Sequence, residues 1–332
     1  MSDPGGLRVL VGYSPDDRGD DALALAALVV RAPKGVGGGP LTVANIHPPG
    51  WRTPGPGSVD AEWVAYLKER SDAALSRAAE RLGDLKVPPD SVTLRVHAHR
   101  GSGRGLIEVA EDSGADLIVI GSAPHGRRDR IAIGSTADQL LHGSPVPVLL
   151  APRGYAGQVP PRFERLTVAY WHAYWRRQDA GGPLLAAVGV AQQLGLPVRL
   201  VTLVLRPPGL ATRFRDADAL MARQLAQAEE DLAQAVGLLG AGRDVETETA
   251  AGTGIAKTLA SVDMWPGEVI ACLSSHDGPL RKVFLGEGSG KIVRASSRPV
   301  LVLPRGAAAS PAGSSIPSWV RGARGTAGGT AD

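Results

Sequence analysis

The sequence predicts an α/β protein of two tandem domains, each with a parallel sheet covered by helices on both faces. Three observations carry this prediction. The chain of 332 residues is long enough for two hydrophobic cores of ordinary size. Short apolar runs alternate with helical stretches, which is the pattern of a parallel sheet. Residues 116–154 also match residues 268–306 without a gap, 152 positions later, which indicates a duplicated domain.

The first half opens with an apolar strand at Leu7–Gly12, and the Ala- and Leu-rich stretch Asp20–Val30 follows as a helix. Leu41–Ile46 is the second strand, and a Pro- and Gly-rich loop separates it from the helix Glu62–Leu82, which carries its charges on one side. The remaining elements are predicted as strands at Val92–His99, Leu117–Ile120 and Val146–Leu150 and helices at Gly105–Asp112 and Ser135–His142.

The second half repeats this order of elements. Its strands are predicted at Leu166–Tyr170, Val198–Val204, Val245–Thr249, Val269–Leu273 and Val300–Leu303. Its helices are predicted at Pro183–Leu194, Asp218–Leu239, Thr253–Val262 and Lys291–Ala295. Because the strands are mostly apolar runs, each sheet is expected to be buried on both faces.

Composition marks the boundaries between the parts of the chain. The first domain is predicted over residues 1–152, a linker with Gly and Pro residues over 153–164, and the second domain over 165–305. Ala, Gly, Ser and Pro dominate from there onward, so residues 306–332 are predicted to form a disordered tail.

Charge and composition narrow the classes of function. Hydrophobic residues make up 43% of the chain and charged residues 21%, as in globular proteins. The formal net charge of +3 is small for a protein that binds nucleic acid. No run approaches the roughly 20 apolar residues that span a bilayer, and no secretory signal opens the chain. With a single cysteine, the protein is expected to be cytoplasmic. Its richness in Gly and Ala with few Lys residues resembles the proteins of high-GC bacteria, and neither membrane nor nucleic-acid partners are expected.

A phosphate-loop-like pattern follows the fourth strand of the first half. Gly121 ends that strand, and Gly134 and Ser135 open the next helix. Ligands of open α/β sheets bind at the carboxyl ends of strands, and the free N–H groups of a helix start favour an anion. Gly121 would allow a tight turn, and Arg127 could attract phosphate from the intervening loop. A simpler hypothesis is that Ser135 and Asp138 form a capping box.

These residues resemble the signature of the universal stress protein family, Gly-x2-Gly-x9-Gly followed by Ser or Thr. The opening VGYSPDDRGDDALALA resembles the family's first strand and helix, and Pro147–Pro152 resembles its last strand. The likeness covers about residues 7–152 and 165–305, so the chain is identified as a tandem member of this family. The resemblance implies a five-stranded, Rossmann-like parallel sheet in each domain. It also implies ATP, or AMP or another adenine nucleotide, in members that keep the signature.

For the first domain, the resemblance implies a nucleotide site at the carboxyl edge of the sheet. The implied site residues are Tyr13, Ser14, Val43, Gly121, Pro124, Arg127, Gly134, Ser135 and Thr136. Pro124 stands where the signature has its second glycine. The family's Asp after the first strand has no clear match, with Ser14 or Asp16 standing nearby.

The second domain departs further from the signature. Its matching positions hold Leu273, His276, Gly286 and Glu287. A carboxylate at the position of the phosphate-contacting serine would repel phosphate, and Leu273 lacks the conformational freedom of glycine. The aromatic residues Trp171 and Trp175 could fill this cleft or form a different pocket. We therefore predict that the second domain does not bind ATP.

Three other patterns have simpler explanations. Gly286–Lys291 is similar to a P-loop, but Leu285 and Ile292 stand where a P-loop needs Gly and Ser or Thr. His97 and His99, with His47, could bind a metal, yet strand-end histidines without a metal are favoured and no metal site is predicted. Cys272 lies in a predicted buried strand, where an inert thiol is expected.

Three functions remain open at this point. The leading hypothesis is a regulatory stress-response protein whose first domain binds an adenine nucleotide. The alternative is a nucleotide-independent assembly module with both clefts non-functional. A third is an enzyme of a related nucleotide-binding family, although no catalytic trio or pair of acids is found in the sequence. No catalytic residue is proposed, and the protein partner is unknown.

The last strand of each domain would expose an apolar edge, which invites association with another strand. The resemblance implies that these strands pair across a dimer axis. Because both lie on one chain, we expect an intramolecular pseudo-dimer through Val146–Leu150 and Val300–Leu303, with a homodimer as a further option.

Overall fold

Each half of the chain folds around its own parallel sheet. The computed structural model describes residues 6–31, 39–49, 59–170, 182–206, 217–240, 244–273 and 287–304. Contacts divide the chain into two units, Met1–Pro161 and Arg162–Asp332. The tail predicted over residues 306–332 lies outside the described residues. No helix of the described part is long and apolar enough to cross a membrane.

The first unit alternates strands and helices as the sequence predicts. Its strands are β1 Val9–Gly12, β2 Leu41–His47, β3 Val92–Ala98, β4 Leu117–Gly121 and β5 Val148–Ala151. Its helices are α1 Asp17–Val30, α2 Val59–Asp84, α3 Ser102–Ser113 and α4 Ser135–Gly143. The strands pair in parallel in the order β3-β2-β1-β4-β5. Because the chain reverses direction across the sheet after β3, right-handed crossovers place α1 and α2 on one face and α3 and α4 on the other.

The second unit has the same architecture. Its strands are β6 Arg165–Ala169, β7 Val198–Leu205, β8 Val245–Gly252, β9 Glu268–Leu273 and β10 Val300–Leu303. Its helices are α5 Gly182–Gln193, α6 Ala217–Leu238, α7 Ile255–Ser261 and α8 Glu287–Ala295. The parallel order β10-β9-β6-β7-β8 repeats that of the first unit. The predicted fold class, with two parallel α/β units, is confirmed.

Burial explains why the central strands read as apolar runs. Leu10, Val11 and Ile118 are fully buried in the middle of the first sheet, and α1 covers it with a nearly continuous set of buried Ala and Leu residues. At the edge of the same sheet, β3 has no fully buried residue and exposes Leu94. Apolar burial in the centre and a more polar edge place any cleft at the ends of the strands.

Some predicted ends of elements are shifted, and local contacts explain the clearest shift. The helix predicted from Asp20 begins at Asp17, because the side chain of Asp16 accepts hydrogen bonds from the backbone N–H groups of Arg18 and Gly19. Asp16 is therefore the N-cap of α1, and the helix starts one turn earlier than its apolar stretch.

Residues after β5 are bound to the first unit by a buried carboxylate. Asp21 of α1 accepts hydrogen bonds from the backbone N–H groups of Gly154 and Ala156, both at 2.8 Å. Tyr155 between them is 4% exposed. These contacts hold the first part of the segment predicted as a linker against α1.

The amino ends of the strands carry an ion pair in the first unit. Arg8 precedes β1, and its guanidinium donates to both carboxylate oxygens of Asp116, which precedes β4, at 3.0 and 2.9 Å. Its side chain is 30% exposed and that of Asp116 8%. The pair therefore lies at the border between core and solvent.

In the second unit, the corresponding pair is part of a buried network. The register pairs Arg165 with Glu268 at the starts of β6 and β9. The Glu268 carboxylate, fully buried, accepts from Arg165 at 3.0 Å and from Arg199 of β7 at 2.6 Å, and it also accepts from the Thr167 hydroxyl. Two charged guanidinium groups are thus buried around one carboxylate.

Candidate functional site

A cleft of about 370 Å³ opens at the carboxyl edge of the first sheet. Its wall is formed by the ends of β1, β2 and β4 and by the first turns of α3 and α4. This is the position at which open α/β sheets bind ligands, because the chain reverses direction across the sheet there.

The structure brings seven of the nine predicted site residues together on this wall. They are Tyr13, Ser14, Gly121, Pro124, Gly134, Ser135 and Thr136. Val43 does not line the cleft, because its side chain is fully buried in β2, and the next residue, Ala44, lies on the wall instead. Arg127 is exposed and does not line the cleft. The ligand contacts of all nine residues stay predictions.

The N-terminus of α4 presents free backbone donors to the cleft. Gly134 is the N-cap residue of α4, and no side chain caps the helix there. Ser135 is the first helical residue, so the hypothesis that Ser135 and Asp138 form a capping box is wrong. Since Gly134 through Ala137 all line the cleft, the uncapped N–H groups of this turn lie beside the cavity. An anion is favoured at such a terminus.

The neighbouring helix start is closed by a side chain. The amide oxygen of Gln139 accepts hydrogen bonds from the backbone N–H groups of Gly103 and Arg104, at 3.1 and 3.2 Å. These groups belong to the first turn of α3. The hydroxyls of Ser102 and Thr136 join the two helix starts at 2.6 Å. The start of α1, whose first turn also lines the cleft, is capped by Asp16, so α4 is the helix start on the wall without a side-chain cap.

Gly121 is required by a close approach of two backbone segments. A Cβ atom at this position would lie 2.2 Å from the carbonyl oxygen of Arg18. The expected tight turn is not the reason, because Gly121 is absent from the glycines of positive φ in the described residues. The missing side chain lets the first turn of α1 contact the end of β4, which fixes one corner of the cleft.

One charged group on the wall is held by an acidic neighbour. The guanidinium of Arg18 donates to both carboxylate oxygens of Asp16, and Ser14 donates its hydroxyl proton to Asp16 at 2.9 Å. Burial favours a raised pKa for Asp16, but the hydrogen bonds from Arg18 and Ser14 outweigh it and hold that pKa below its usual range. The hydrogen bond to Asp16 raises the pKa of Arg18. The Asp16 carboxylate is therefore already bound to the N-terminus of α1 and to the guanidinium of Arg18.

Tyr13 forms part of the cleft wall directly after β1. It is 4% exposed, and burial together with the nearby charge of Asp20 raises its pKa to about 12. The side-chain amide of Asn45 donates to the Tyr13 carbonyl oxygen at 2.9 Å, which ties the end of β2 to the end of β1. The Tyr13 side chain is therefore buried and neutral.

The sequence did not identify several residues that line the cleft, among them Arg18, Asn45 and His125. Asn45 stands near the carboxyl end of β2, so the rule that ligands bind at the carboxyl ends of strands could have found it. Ser102, the first residue of α3, lines the cleft as well. Arg18 gave no signal, because its position depends on where α1 begins.

The second unit has different residues at the corresponding places. Gly121 pairs with Ala151 in the first sheet, and Leu273 pairs with Leu303 in the second, as the repeat requires. Glu287 is the first residue of α8, where α4 has Ser135. The residues His276, Gly286, Trp171 and Trp175 lie outside the described residues, so their predicted roles stay predictions.

The histidine and cysteine hypotheses can be placed in the structure. His97 and His99 both face the carboxylate of Glu108, at 2.7 and 3.6 Å. Among the described residues, no group of three or more His, Cys, Asp and Glu side chains is arranged to hold a metal ion. Cys272 is buried in β9, and burial raises its pKa to about 12, which disfavours the reactive thiolate.

Comparisons with known proteins agree with the resemblance seen in the sequence. The sequence profile of the universal stress protein family matches residues 7–152 and 179–304. A universal stress protein of Mycobacterium tuberculosis is 36% identical over 307 residues, covering 90% of this chain and 100% of that protein. The crystal structure of a universal stress protein from Archaeoglobus fulgidus covers 90% of this chain and 98% of its own, at 18% identity and a TM-score of 0.53. A universal stress protein solved in complex with cAMP covers 45% of this chain and 98% of its own, at 19% identity and a TM-score of 0.34.

Proposed function

The chain belongs to the universal stress protein family, and from this premise we propose that its first unit binds an adenine nucleotide at the carboxyl edge of its sheet. One observation carries the proposal: the uncapped N-terminus of α4 lies on the wall of a cleft of about 370 Å³. Free N–H groups and the helix dipole bind phosphate at such a position. The cleft volume lies within the range of small-molecule sites.

The remaining wall is suited to the rest of a nucleotide. Ile46, Leu106 and Ile120 supply apolar surface. Hydroxyl groups of Ser14, Ser102 and Thr136 offer partners for a ribose. A base needs an apolar slot and a ribose needs hydrogen-bonding groups, and both lie next to the helix terminus that would hold the phosphate.

The second unit is proposed to be a degenerate partner that does not bind the nucleotide. Glu287 places a negative charge at the start of α8, the position that would hold phosphate. A bound anion would be repelled there by the like charge. Leu273 stands where the first unit needs a residue without a Cβ atom. Two independent differences at one site support the asymmetry.

A regulatory role in the cytoplasm, without catalysis, completes the proposal. Among the described residues of the wall, no hydroxyl group is hydrogen-bonded to an imidazole, the arrangement that activates a serine nucleophile. Nucleotide occupancy would then control conformation or the choice of partner. The pairing of the two domains through their last strands stays a prediction.

Two measurements on the full-length protein test the proposal. The purified protein is denatured and any released nucleotide is identified by mass spectrometry. Isothermal titration calorimetry with ATP and with AMP then gives the stoichiometry, which we expect to be at most one per chain. Two sites per chain would contradict the asymmetry. Absence of any released or bound nucleotide would favour the alternative, an assembly module with both clefts non-functional.

A further inference from the structure

Resting on the proposed function, we propose that this cleft selects adenine nucleotides with a single phosphate group and binds them without a divalent cation. The proposal concerns the same site and names the charge class of its ligand. It depends on three features of the wall: the number of free helix termini, the net fixed charge and the absence of carboxylates among the described lining residues.

The first feature is the supply of backbone donors. The helix starts on the wall differ, because Asp16 caps α1 and Gln139 accepts from the N–H groups of Gly103 and Arg104 in α3. The terminus of α4 has no such cap. One uncapped helix terminus, together with the side chains of Ser135 and Thr136, provides donors for the oxygens of one phosphate group. A second phosphate has no second free terminus to bind.

The second feature is the low positive charge of the wall. Arg18 is the one Arg or Lys side chain among the described residues that line the cleft. Its charge is largely neutralised, because its guanidinium donates to both oxygens of Asp16. His125, the other basic residue on the wall, is exposed and carries charge only when protonated. The three to four negative charges of a triphosphate therefore meet little compensation within the cleft.

The third feature concerns a nucleotide-bound cation. Magnesium prefers oxygen ligands and is usually held by one or two carboxylates together with phosphates. None of the described residues that line the cleft is an Asp or a Glu. Asp16, the nearby acid, is committed to Arg18 and to the N-cap of α1. The wall therefore offers no anionic ligand that would favour a magnesium–nucleotide complex over the free nucleotide.

Arg127 provides a way to separate this proposal from its opposite. Arg127 is exposed and lies outside the wall, in the loop between β4 and α4. A polyphosphate that extended out of the cleft could reach this loop, whereas a single phosphate on the α4 terminus does not require it. The variant Arg127→Gln should therefore change the affinities of AMP and of ATP by the same factor, whereas a polyphosphate held by this loop would lose more affinity than AMP.

The test is calorimetry of the full-length protein with AMP, 3′,5′-cyclic AMP, ATP with EDTA, and ATP with magnesium, at pH 8, where histidine side chains are ordinarily neutral. We expect AMP or 3′,5′-cyclic AMP to bind about fivefold or more tightly than ATP, since uncompensated exposed charges change affinity by such factors. Magnesium should not improve the binding of ATP. Comparing the affinities of AMP and 3′,5′-cyclic AMP shows whether the cleft prefers an open or a cyclic phosphate.

A variant that removes the anionic partner of Arg18 tests whether the low positive charge of the wall causes the selectivity. Asp16→Asn removes the carboxylate that neutralises Arg18, and asparagine is as good an N-cap as aspartate, so α1 is expected to stay intact. The preference for a single phosphate over ATP should shrink by about threefold or more, because the freed Arg18 charge then attracts the larger anion.

The outcomes separate the two proposals. Tightest binding of ATP, with or without magnesium, overturns the selectivity proposed here and leaves the nucleotide site in place. Absence of binding by all four ligands overturns the proposed function, and the selectivity with it. Tighter single-phosphate binding, with no gain for ATP from magnesium and an equal effect of Arg127→Gln on AMP and ATP, supports both.

Discussion

The two units have one strand order, but they differ at both ends of their sheets. At the carboxyl edge, the first unit has Gly121 and the uncapped start of α4 beside a cleft, while the second has Leu273 and Glu287 at the matching positions. At the amino edge, the first unit has one partly exposed ion pair. The second has a buried network around Glu268.

This difference teaches that the amino and carboxyl edges of one sheet can have different roles. The amino edge can hold stabilising polar contacts because no ligand needs access to it. A ligand site needs the opposite: unsatisfied donors and a missing side chain, as at Gly121 and Gly134. In the second unit Leu273 and Glu287 stand at the two matching positions, and the buried network around Glu268 lies at the other edge.

The largest expected effect tests the amino edge. Glu268→Gln should destabilise the second unit by about 3 kcal/mol, because it leaves the guanidinium groups of Arg165 and Arg199 buried around a neutral side chain. The matching change in the first unit, Asp116→Asn, should cost about 1 kcal/mol, since Arg8 reaches solvent. Hydrogen exchange of amides in β9 and in β4 reports on each unit separately in the full chain.

Glu246→Gln is the matched control for that comparison. Glu246 also pairs with Arg165, but its side chain is 56% exposed. The change should therefore cost well under about 1 kcal/mol. Equal losses in Glu268→Gln and Glu246→Gln would show that burial does not distinguish the two carboxylates.

The next effect transfers a residue of the second unit into the first. Gly121→Leu places a Cβ atom 2.2 Å from the Arg18 carbonyl oxygen, so α1 or β4 must move. We expect a loss of about 2–3 kcal/mol in the first unit, together with loss of nucleotide binding. As a control, Gly83→Leu in α2 adds a side chain where nothing lies within 4 Å of the new Cβ atom, and it should leave both properties unchanged. Normal nucleotide affinity in Gly121→Leu would mean that Leu273 is no defect.

A smaller effect concerns the helix start. Ser135→Glu gives α4 the first residue of α8, and the added carboxylate should lower nucleotide affinity about tenfold or more by like-charge repulsion. Stability should change little, because Ser135 is exposed and does not cap the helix. Ser135→Gln separates charge from size in the same calorimetric titration. If the two variants bind equally well, the charge of Glu287 does not explain the asymmetry.

The fold could be predicted from the sequence because the hydrophobic period of a helix and the apolar run of a buried strand can both be recognised within short segments. The predicted strands and helices all appear in the structure, and the repeat ties Leu273 to Gly121 and Glu287 to Ser135. Ends of elements were less predictable. The start of α1 depends on one hydrogen-bonded side chain, Asp16, which the apolar pattern does not reveal.

The site was predictable in part, since strand ends and helix starts can be placed along the sequence. That rule found Gly121 and Ser135, but it missed Arg18, whose place on the wall depends on the packing of α1 against β4. The resemblance to the family placed Val43 in the site, but successive side chains of a strand point to opposite faces, and Ala44 lines the cleft while Val43 is buried. Such contacts need three-dimensional packing.

The smallest expected effect is an opposite response of the two units to acid. Burial raises the pKa of Asp21 in the first unit, although hydrogen bonds from Ala156 and Gly154 oppose the shift. A raised pKa means that the contribution of Asp21 to stability is full below its unfolded value of about 3.9 and is lost as the pH rises through the folded pKa. Acidification towards that value therefore favours the first unit through this group.

Glu268 in the second unit should respond in the other direction. Burial favours a higher pKa, but hydrogen bonds from Arg165 and Thr167 and the charge of Arg199 hold it below the usual range. Its stabilisation is present above about pH 4.3 and is lost as the pH falls through the folded pKa. Hydrogen exchange between pH 7 and pH 3.5 should show Asp21→Asn removing a small gain in the first unit and Glu268→Gln removing a loss in the second. The same acid response in each variant as in the native chain would mean that neither buried carboxylate controls its unit, because each substitution deletes one titrating group and leaves the other unchanged.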